Sequence, residues 1–201
     1  MASRTYSSPL RAEQAEQTRE RIVQAAVDLL SEGDAGDVSM NEVATRAGVS
    51  VRTVYRAFAT KDDLLDGVIG WINHHINQRT GARPVTREDY ETTTAAVTKV
   101  IFEIEPLYRA LFATRAGRAS HRRTNAREPI MRAAYAAETE GLDEDQTSRF
   151  LAVLHALGSS NAALFMKDYW DLTPEHAGQA IEWAIRVVAD AVTDPNQREG
   201  L

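Results

Sequence analysis

Ser39-Met40-Asn41-Glu42-Val43-Ala44-Thr45-Arg46-Ala47-Gly48-Val49-Ser50-Val51-Arg52-Thr53-Val54-Tyr55-Arg56-Ala57-Phe58-Ala59-Thr60-Lys61 has the spacing of two short helices joined by one tight turn. Ser39 can accept a backbone hydrogen bond at a helix start while Glu42, three residues on, reaches back, which is a capping box. Met40, Val43, Ala44 and Ala47 make the apolar side of that helix. Gly48 then stands where a chain leaves a helix in the left-handed conformation that glycine tolerates best. After the turn Gly48-Val49-Ser50, Ser50 can cap a second helix. Its Val54 and Phe58 share one face at i, i+4 and can bury with Val49 against the first helix. Val51, Arg52, Thr53, Tyr55 and Arg56 are left pointing outward. That set holds cations for phosphate or guanine, a hydroxyl, and methyl-bearing side chains suited to thymine.

A surface helix with merely solvated arginines would explain the second helix taken alone. It does not explain why two capped helices, a glycine turn and a further helix start at Thr60-Lys61 coincide. Residues 18–79 resemble the N-terminal domain of the TetR family of bacterial transcriptional regulators. The resemblance is carried by Ile22-Val23-Gln24-Ala25-Ala26-Val27-Asp28-Leu29-Leu30 ending at Gly33, then by Val43-Ala44, Ala47-Gly48-Val49-Ser50, Thr53-Val54-Tyr55-Arg56-Ala57-Phe58 and Lys61-Asp62-Asp63-Leu64-Leu65. It implies that the second helix of the motif enters the major groove, that Tyr55 and Lys61 hold backbone phosphates, and that Ser39 contacts phosphate at the start of the first. The DNA-contacting set is then Ser39, Ser50, Val51, Arg52, Thr53, Tyr55, Arg56 and Lys61. Two positions depart from the family pattern: the loop Gly33-Asp34-Ala35-Gly36-Asp37 lacks the usual aromatic residue, and Val38 stands where threonine is common.

The 201 residues, 43% of them hydrophobic, suffice for one large or two small packed units. Neither a membrane span nor a signal peptide is visible, and a bacterial cytoplasmic protein is expected. The absence of cysteine excludes disulfides and thiolate metal sites. The net charge of −6 is unevenly placed: residues 1–61 hold eight Lys+Arg and eight Asp+Glu, and the whole excess lies beyond them. A neutral reading head would depend on locally placed Arg52, Arg56 and Lys61 and on helix N-termini aimed at phosphates. Residues 1–12 read as a flexible arm, 13–60 as the helix-turn-helix domain and 61–201 as a C-terminal domain. The arm's Arg4 and Arg11 leave a minor-groove contact open beside a plain floppy terminus.

Beyond Lys61 the chain reads as helices over residues 61–78, 86–103, 106–114, 125–139, 143–167 and 174–192, with no strand pattern. About nine helices in all give an all-α fold, the architecture that the resemblance also implies. In the last helix Ala177, Ile181, Ala184 and Val188 form a stripe, and in the preceding one Leu154, Gly158 and Ala162 form a low-profile patch. Both can face a second copy or the subunit's own core. DNA geometry favours a dimer, because two reading heads about 34 Å apart match a palindromic site. TetR-like chains dimerise through their last two long helices, here residues 143–167 and 174–192.

Trp71, His75, Phe102, Tyr108, Phe112, Met131, Tyr135 and Phe165 carry large side chains suited either to a solid core or to a small-molecule pocket. The resemblance points to an effector site between the linker helix and the C-terminal bundle, and the residue types favour a hydrophobic or amphipathic effector. His74-His75 diverge by about 100° on a helix and cannot grip one ion together, so neither metal nor cofactor is expected. Arg115, Arg118, Arg122, Arg123 and Arg127 form a basic run with His121 around an expected loop. It is open to an anionic effector, to pairing with acidic surface or to solvation alone. No nucleophile elbow or phosphate-binding glycine loop is present, which argues against an enzyme.

The leading expectation is a dimeric repressor that binds double-stranded DNA at a palindromic operator and is released by an effector. A ligand-independent regulator or activator with the same head, and a helical scaffold without DNA affinity, are the alternatives.

Overall fold

Every third or fourth residue from Ile22 to Leu30 is apolar, and Ile22, Val23, Ala25, Ala26, Val27 and Leu30 are buried. They lie in the C-terminal part of α1 (Pro9–Glu32), whose first turns are exposed. The computed structural model describes residues 9–32, 38–81, 86–124 and 127–194. Its elements after α1 are α2 (Met40–Ala47), α3 (Val51–Ala57), α4 (Lys61–Thr80), α5 (Arg87–Glu103), α6 (Glu105–Ala113), α7 (Arg115–Thr124), α8 (Arg127–Ala134), α9 (Glu144–Leu157), α10 (Ser160–Trp170) and α11 (Pro174–Thr193). The fold is all-α, with no strand among the described residues.

Two local causes make eleven helices out of the expected nine. The basic run is a helix, α7, rather than a loop. The single helix expected over 143–167 breaks at Gly158-Ser159, because the Ser159 hydroxyl accepts from the Ala162 N–H at 3.1 Å and so starts α10 as a new helix. Similarly, α8 stops at Ala134, short of the expected Thr139, and turns lead to Gly141 at φ 81°. Helix α1 begins at Pro9, so residues 9–12 are helical rather than part of an arm. The arm itself and the loop 33–37 lie outside the described residues.

By its contacts the chain forms two units, Met1–Asn73 with Pro106–Thr124 and His74–Glu105 with Asn125–Leu201. The division differs from the expected one after residue 60, since the first part of α4 and nearly all of α6 and α7 fold with the head. In this first unit Val43, Val54, Phe58, Leu64 and Val68 are buried together with the α1 stripe. Gly117 makes the α6–α7 elbow possible, because a Cβ there would sit 2.0 Å from the Leu111 carbonyl oxygen. The Thr114 hydroxyl accepts from the Gly117 N–H at 2.9 Å and starts α7.

In the second unit α5 packs along α11, with α8, α9 and α10 completing the bundle. Its core holds Tyr90, Met131, Tyr135, Phe150, Leu154, Ile181 and Ile185. The Tyr135 ring meets Tyr90 edge-on at 5.6 Å and Phe150 at 5.7 Å. Burial pushes the Tyr135 hydroxyl's pKa upward, with the nearby Glu91 charge adding to the effect. Glu91, itself buried, is satisfied by Arg87 at 2.7 Å and by Arg186 of α11 at 3.3 Å. No described helix is long and apolar enough to cross a membrane.

Candidate nucleic-acid interface

Three caps fix the reading head. In α2 the Ser39 hydroxyl accepts from the Glu42 N–H at 3.2 Å, and the Ser39 N–H donates to the Glu42 carboxylate at 2.9 Å. Gly48 then leaves α2 at φ 65°, its N–H directed at the Ala44 and Thr45 carbonyls. Ser50 caps α3 by accepting from the Thr53 N–H at 3.1 Å. Thr60 and Asp63 form a further reciprocal pair at 3.1 and 2.9 Å where α4 begins.

Those caps set the rotation of α3. Val54 and Phe58 turn fully inward, while Ser50, Val51, Arg52, Tyr55 and Arg56 are exposed and Thr53 is half-buried. Tyr55 keeps 51% of its surface in solvent although it lies one position from buried Val54. On the same head Ser39 is exposed and Lys61 half-buried. The Ser39 hydroxyl also donates to the Glu42 carboxylate at 2.6 Å. Hydrogen bonds from Ser39, with the Lys61 charge adding to them, hold the Glu42 carboxyl below its ordinary range, so it stays ionised beside both groups.

Sequence reasoning missed the residue that fastens α3 to α1. Arg19 donates to the Ala57 carbonyl at 2.7 Å, at the C-terminus of α3, and its guanidinium lies 4.0 Å over the Phe58 ring. A cation at that end complements the helix dipole. Arg46 of α2 pairs with Glu32 of α1 through two contacts of 3.0 and 2.6 Å, and Trp71 of α4 donates to Gln24 at 3.1 Å. The only advance signal was the i, i+4 placement of Arg19 before Val23, which by itself marks nothing.

The residues expected around an effector divide between the two units. Trp71, Tyr108 and Phe112 belong to the first, where Tyr108 and Phe112 stack at 4.2 Å and Phe112 meets His121 edge-on at 4.8 Å. His75, Phe102, Met131, Tyr135 and Phe165 belong to the second. Met131 and Tyr135 are spent on its core, Phe102 lies 5.5 Å under the Lys167 ammonium, and Phe165 is exposed and stacks on Tyr169 at 4.6 Å.

Four of the seven residues expected at a dimer interface face their own unit instead. Leu154, Ala177 and Ile181 are fully buried in their own unit, and a Cβ on Gly158 would point at Ile185 and Thr94. These side chains are consumed by the α5, α9 and α11 packing and are not available to a second copy. Ala162, Ala184 and Val188 are half-buried. Among the described residues of this unit, the large apolar groups left in solvent are instead Val153, Phe165, Tyr169, Trp170, Trp183 and Val187.

A capped helix pair that holds one polar face outward defines a helix-turn-helix head. Residues 22–68 match the family model described as bacterial regulatory proteins, tetR family. That match covers the helix-turn-helix part of the chain, from the buried stripe of α1 into α4. Among solved structures it is similar to NalD, the secondary repressor of the MexAB-OprM multidrug efflux pump in Pseudomonas aeruginosa. That pair is 17% identical over 88% of this chain and 97% of NalD, with a TM-score of 0.59. A tetR-family transcriptional regulator from Streptomyces coelicolor is 16% identical over 90% of this chain and 85% of that one, also with a TM-score of 0.59. A putative transcriptional regulator from Pseudomonas aeruginosa PAO1 is 18% identical over 88% and 93%, at the same TM-score of 0.59. At such identities the likeness establishes the fold. No curated protein matches the chain.

Proposed function

We propose that the protein is a dimeric repressor whose paired heads bind a palindromic operator in bacterial cytoplasm and are released by a small hydrophobic or amphipathic effector. The observation that carries the DNA-binding half is the outward face of α3, where exposed Val51, Arg52, Tyr55 and Arg56 stand opposite buried Val54 and Phe58. In this reading Arg52, Thr53 and Val51 read base edges, and Ser50, Tyr55, Arg56, Ser39 and Lys61 hold phosphates.

A second copy would seat on exposed side chains of α10 and α11, chief among them Trp170 and Trp183, which keep 69% and 66% of their surface exposed. Two indoles so placed are typical anchors of a stable interface. The family's use of its last long helices points to the same part of the chain.

Fluorescence anisotropy on a duplex from upstream of the protein's own gene tests the head. Binding should be saturable, and Arg52→Ala with Arg56→Ala should weaken it at least tenfold. An unchanged affinity in that double variant overturns the assignment of α3.

The burial of Met131 and Tyr135 in the core favours a second reading, a regulator with a filled bundle that needs no ligand. A thermal-shift screen of hydrophobic compounds separates the two. Stabilisation coupled to operator release supports the effector, and no compound that does both supports the filled bundle.

A further inference from the structure

Residues 106–127 hold six arginines and no acidic residue, in a chain whose net charge is −6. The structure shows where most of that charge goes. Residues 106–124 fold with the reading head, so the first unit has thirteen Lys+Arg against eleven Asp+Glu, and the second has ten against eighteen. The head unit is therefore basic, not neutral, and α7 makes it so.

Helix α7 has two distinct sides. Gly117 and Ser120 are buried, and Ser120 donates to the Asp66 carboxylate of α4. Arg115, Arg118 and Arg122, spaced i, i+3 and i+7, are exposed on one face. Arg118 also donates to the Phe112 and Ala113 carbonyls at 2.6 and 3.0 Å, which locks the C-terminus of α6 against the first turns of α7. Asp66 lies five residues from Lys61, about 7.5 Å along the α4 axis. Through Ser120, α7 is thus anchored to α4 about one and a half turns from the start of that helix.

We propose that the Arg115–Arg118–Arg122 face of α7 is a second, sequence-independent contact surface for the phosphate backbone of duplex DNA. The proposal rests on the DNA-binding reading of α3 and adds to it a surface outside the helix-turn-helix. Phosphates fit this surface better than base edges do, because three guanidinium groups on a single face supply charge and donors but no acceptors for a base-edge pattern.

The test compares wild type with Arg115→Gln, Arg122→Gln and the double variant, titrated across salt concentrations against the duplex from upstream of the gene and against sheared calf thymus DNA. Each lost phosphate contact should flatten the dependence of log K on log salt by about 0.9. For the double variant the loss of affinity between 50 and 200 mM salt should then be about twelvefold smaller than for wild type. The effect should be equal on both DNAs, and Arg115→Lys should behave as wild type. Arg149→Gln on α9, which removes the same charge from the second unit, should leave the slope alone. If the double variant keeps its fold by circular dichroism and the wild-type slope on both DNAs, the proposal is overturned. It is equally overturned if Arg149→Gln flattens the slope as much, since bulk charge would then explain the result. Slopes that stay unchanged while a fatty acyl carboxylate loses its binding would reassign the face to a small anion. A wild type that binds neither DNA would overturn the α3 reading itself, and this proposal with it.

Discussion

Arg19 performs two tasks with one planar group, accepting a ring beneath it and donating to a carbonyl at the end of α3. Lysine can replace the charge but not the fork and stacking plane. Arg19→Ala should cost about 2 kcal/mol of stability, from a charge-assisted hydrogen bond and a cation–π contact at a partly buried site. Arg19→Lys should recover less than half, as read by urea unfolding, and both variants should weaken operator binding because the C-terminus of α3 is no longer held. Operator affinity at the wild-type level in Arg19→Ala would show that α3 is oriented by its apolar face alone. Glu42 presents the opposite case, a residue good for the fold and bad for the proposed ligand. Its carboxylate closes the α2 capping box but stays ionised beside Ser39 and Lys61, both assigned to phosphate. Glutamine preserves the box. Glu42→Gln should therefore leave the melting temperature within about 2 °C and raise operator affinity several-fold at low salt, with the gain fading as salt screens it. No gain at low salt would place Ser39 and Lys61 away from the phosphates.

At the scale of elements, α2 and α3 were legible before any coordinates because each boundary is written in local chemistry: Ser39 with Glu42, Gly48, and Ser50 with Thr53. The helix break at Gly158-Ser159 and the helical state of α7 were not. Ser159 reads equally well as a small residue inside one long helix, and Arg115 to Thr124 has no apolar periodicity to announce a helix. What makes α7 a helix is its neighbour, since the Thr114 hydroxyl starts it and the Leu111 carbonyl leaves room at residue 117 for glycine alone. Gly117→Ala should destabilise the protein by about 3 kcal/mol, with a fall in melting temperature of about 10 °C. A variant that melts like wild type would mean that the elbow has slack. The α9 residue His155 makes the corresponding point about charge. Burial, followed by the Arg127 charge, holds its imidazole below the usual value of 6.5. The unfolded chain therefore binds the proton first, and stability is fully present above pH 6.5 and declines as pH falls from there through the lowered folded value. Melting temperatures of wild type and His155→Gln should diverge below pH 6.5, with the wild type losing more. Parallel curves would show that His155 titrates as it does in the unfolded chain.

For the whole molecule, the same apolar stripes that suggested a dimer in the sequence are the ones the fold uses internally. Periodicity identifies which side of a helix is apolar, not which neighbour covers it, and Leu154, Ala177 and Ile181 went to the bundle's own core. What remains outside is mostly a set that a stripe search passes over, because Phe165, Tyr169 and Trp170 crowd the end of α10 and Trp183 lies off the α11 stripe, which only Val187 among them widens. Exposed aromatic side chains in this number call for a partner, and the palindromic operator proposed above calls for that partner to be a second copy. Trp183→Glu with Trp170→Glu should keep the helical circular dichroism of wild type, because neither side chain supports the core, yet shift the species seen by analytical ultracentrifugation from dimer to monomer at micromolar concentration. The consequence for DNA is larger than the lost contact area. Two linked heads bind the second half-site at a high effective concentration, and a monomer forfeits that advantage by a factor of about 100 or more. Specific affinity for a palindromic fragment should therefore fall by at least that factor, while affinity for a single half-site stays constant. A double variant that sediments as a dimer would move the interface off these side chains, and one that becomes monomeric without losing palindrome affinity would mean that the heads act singly.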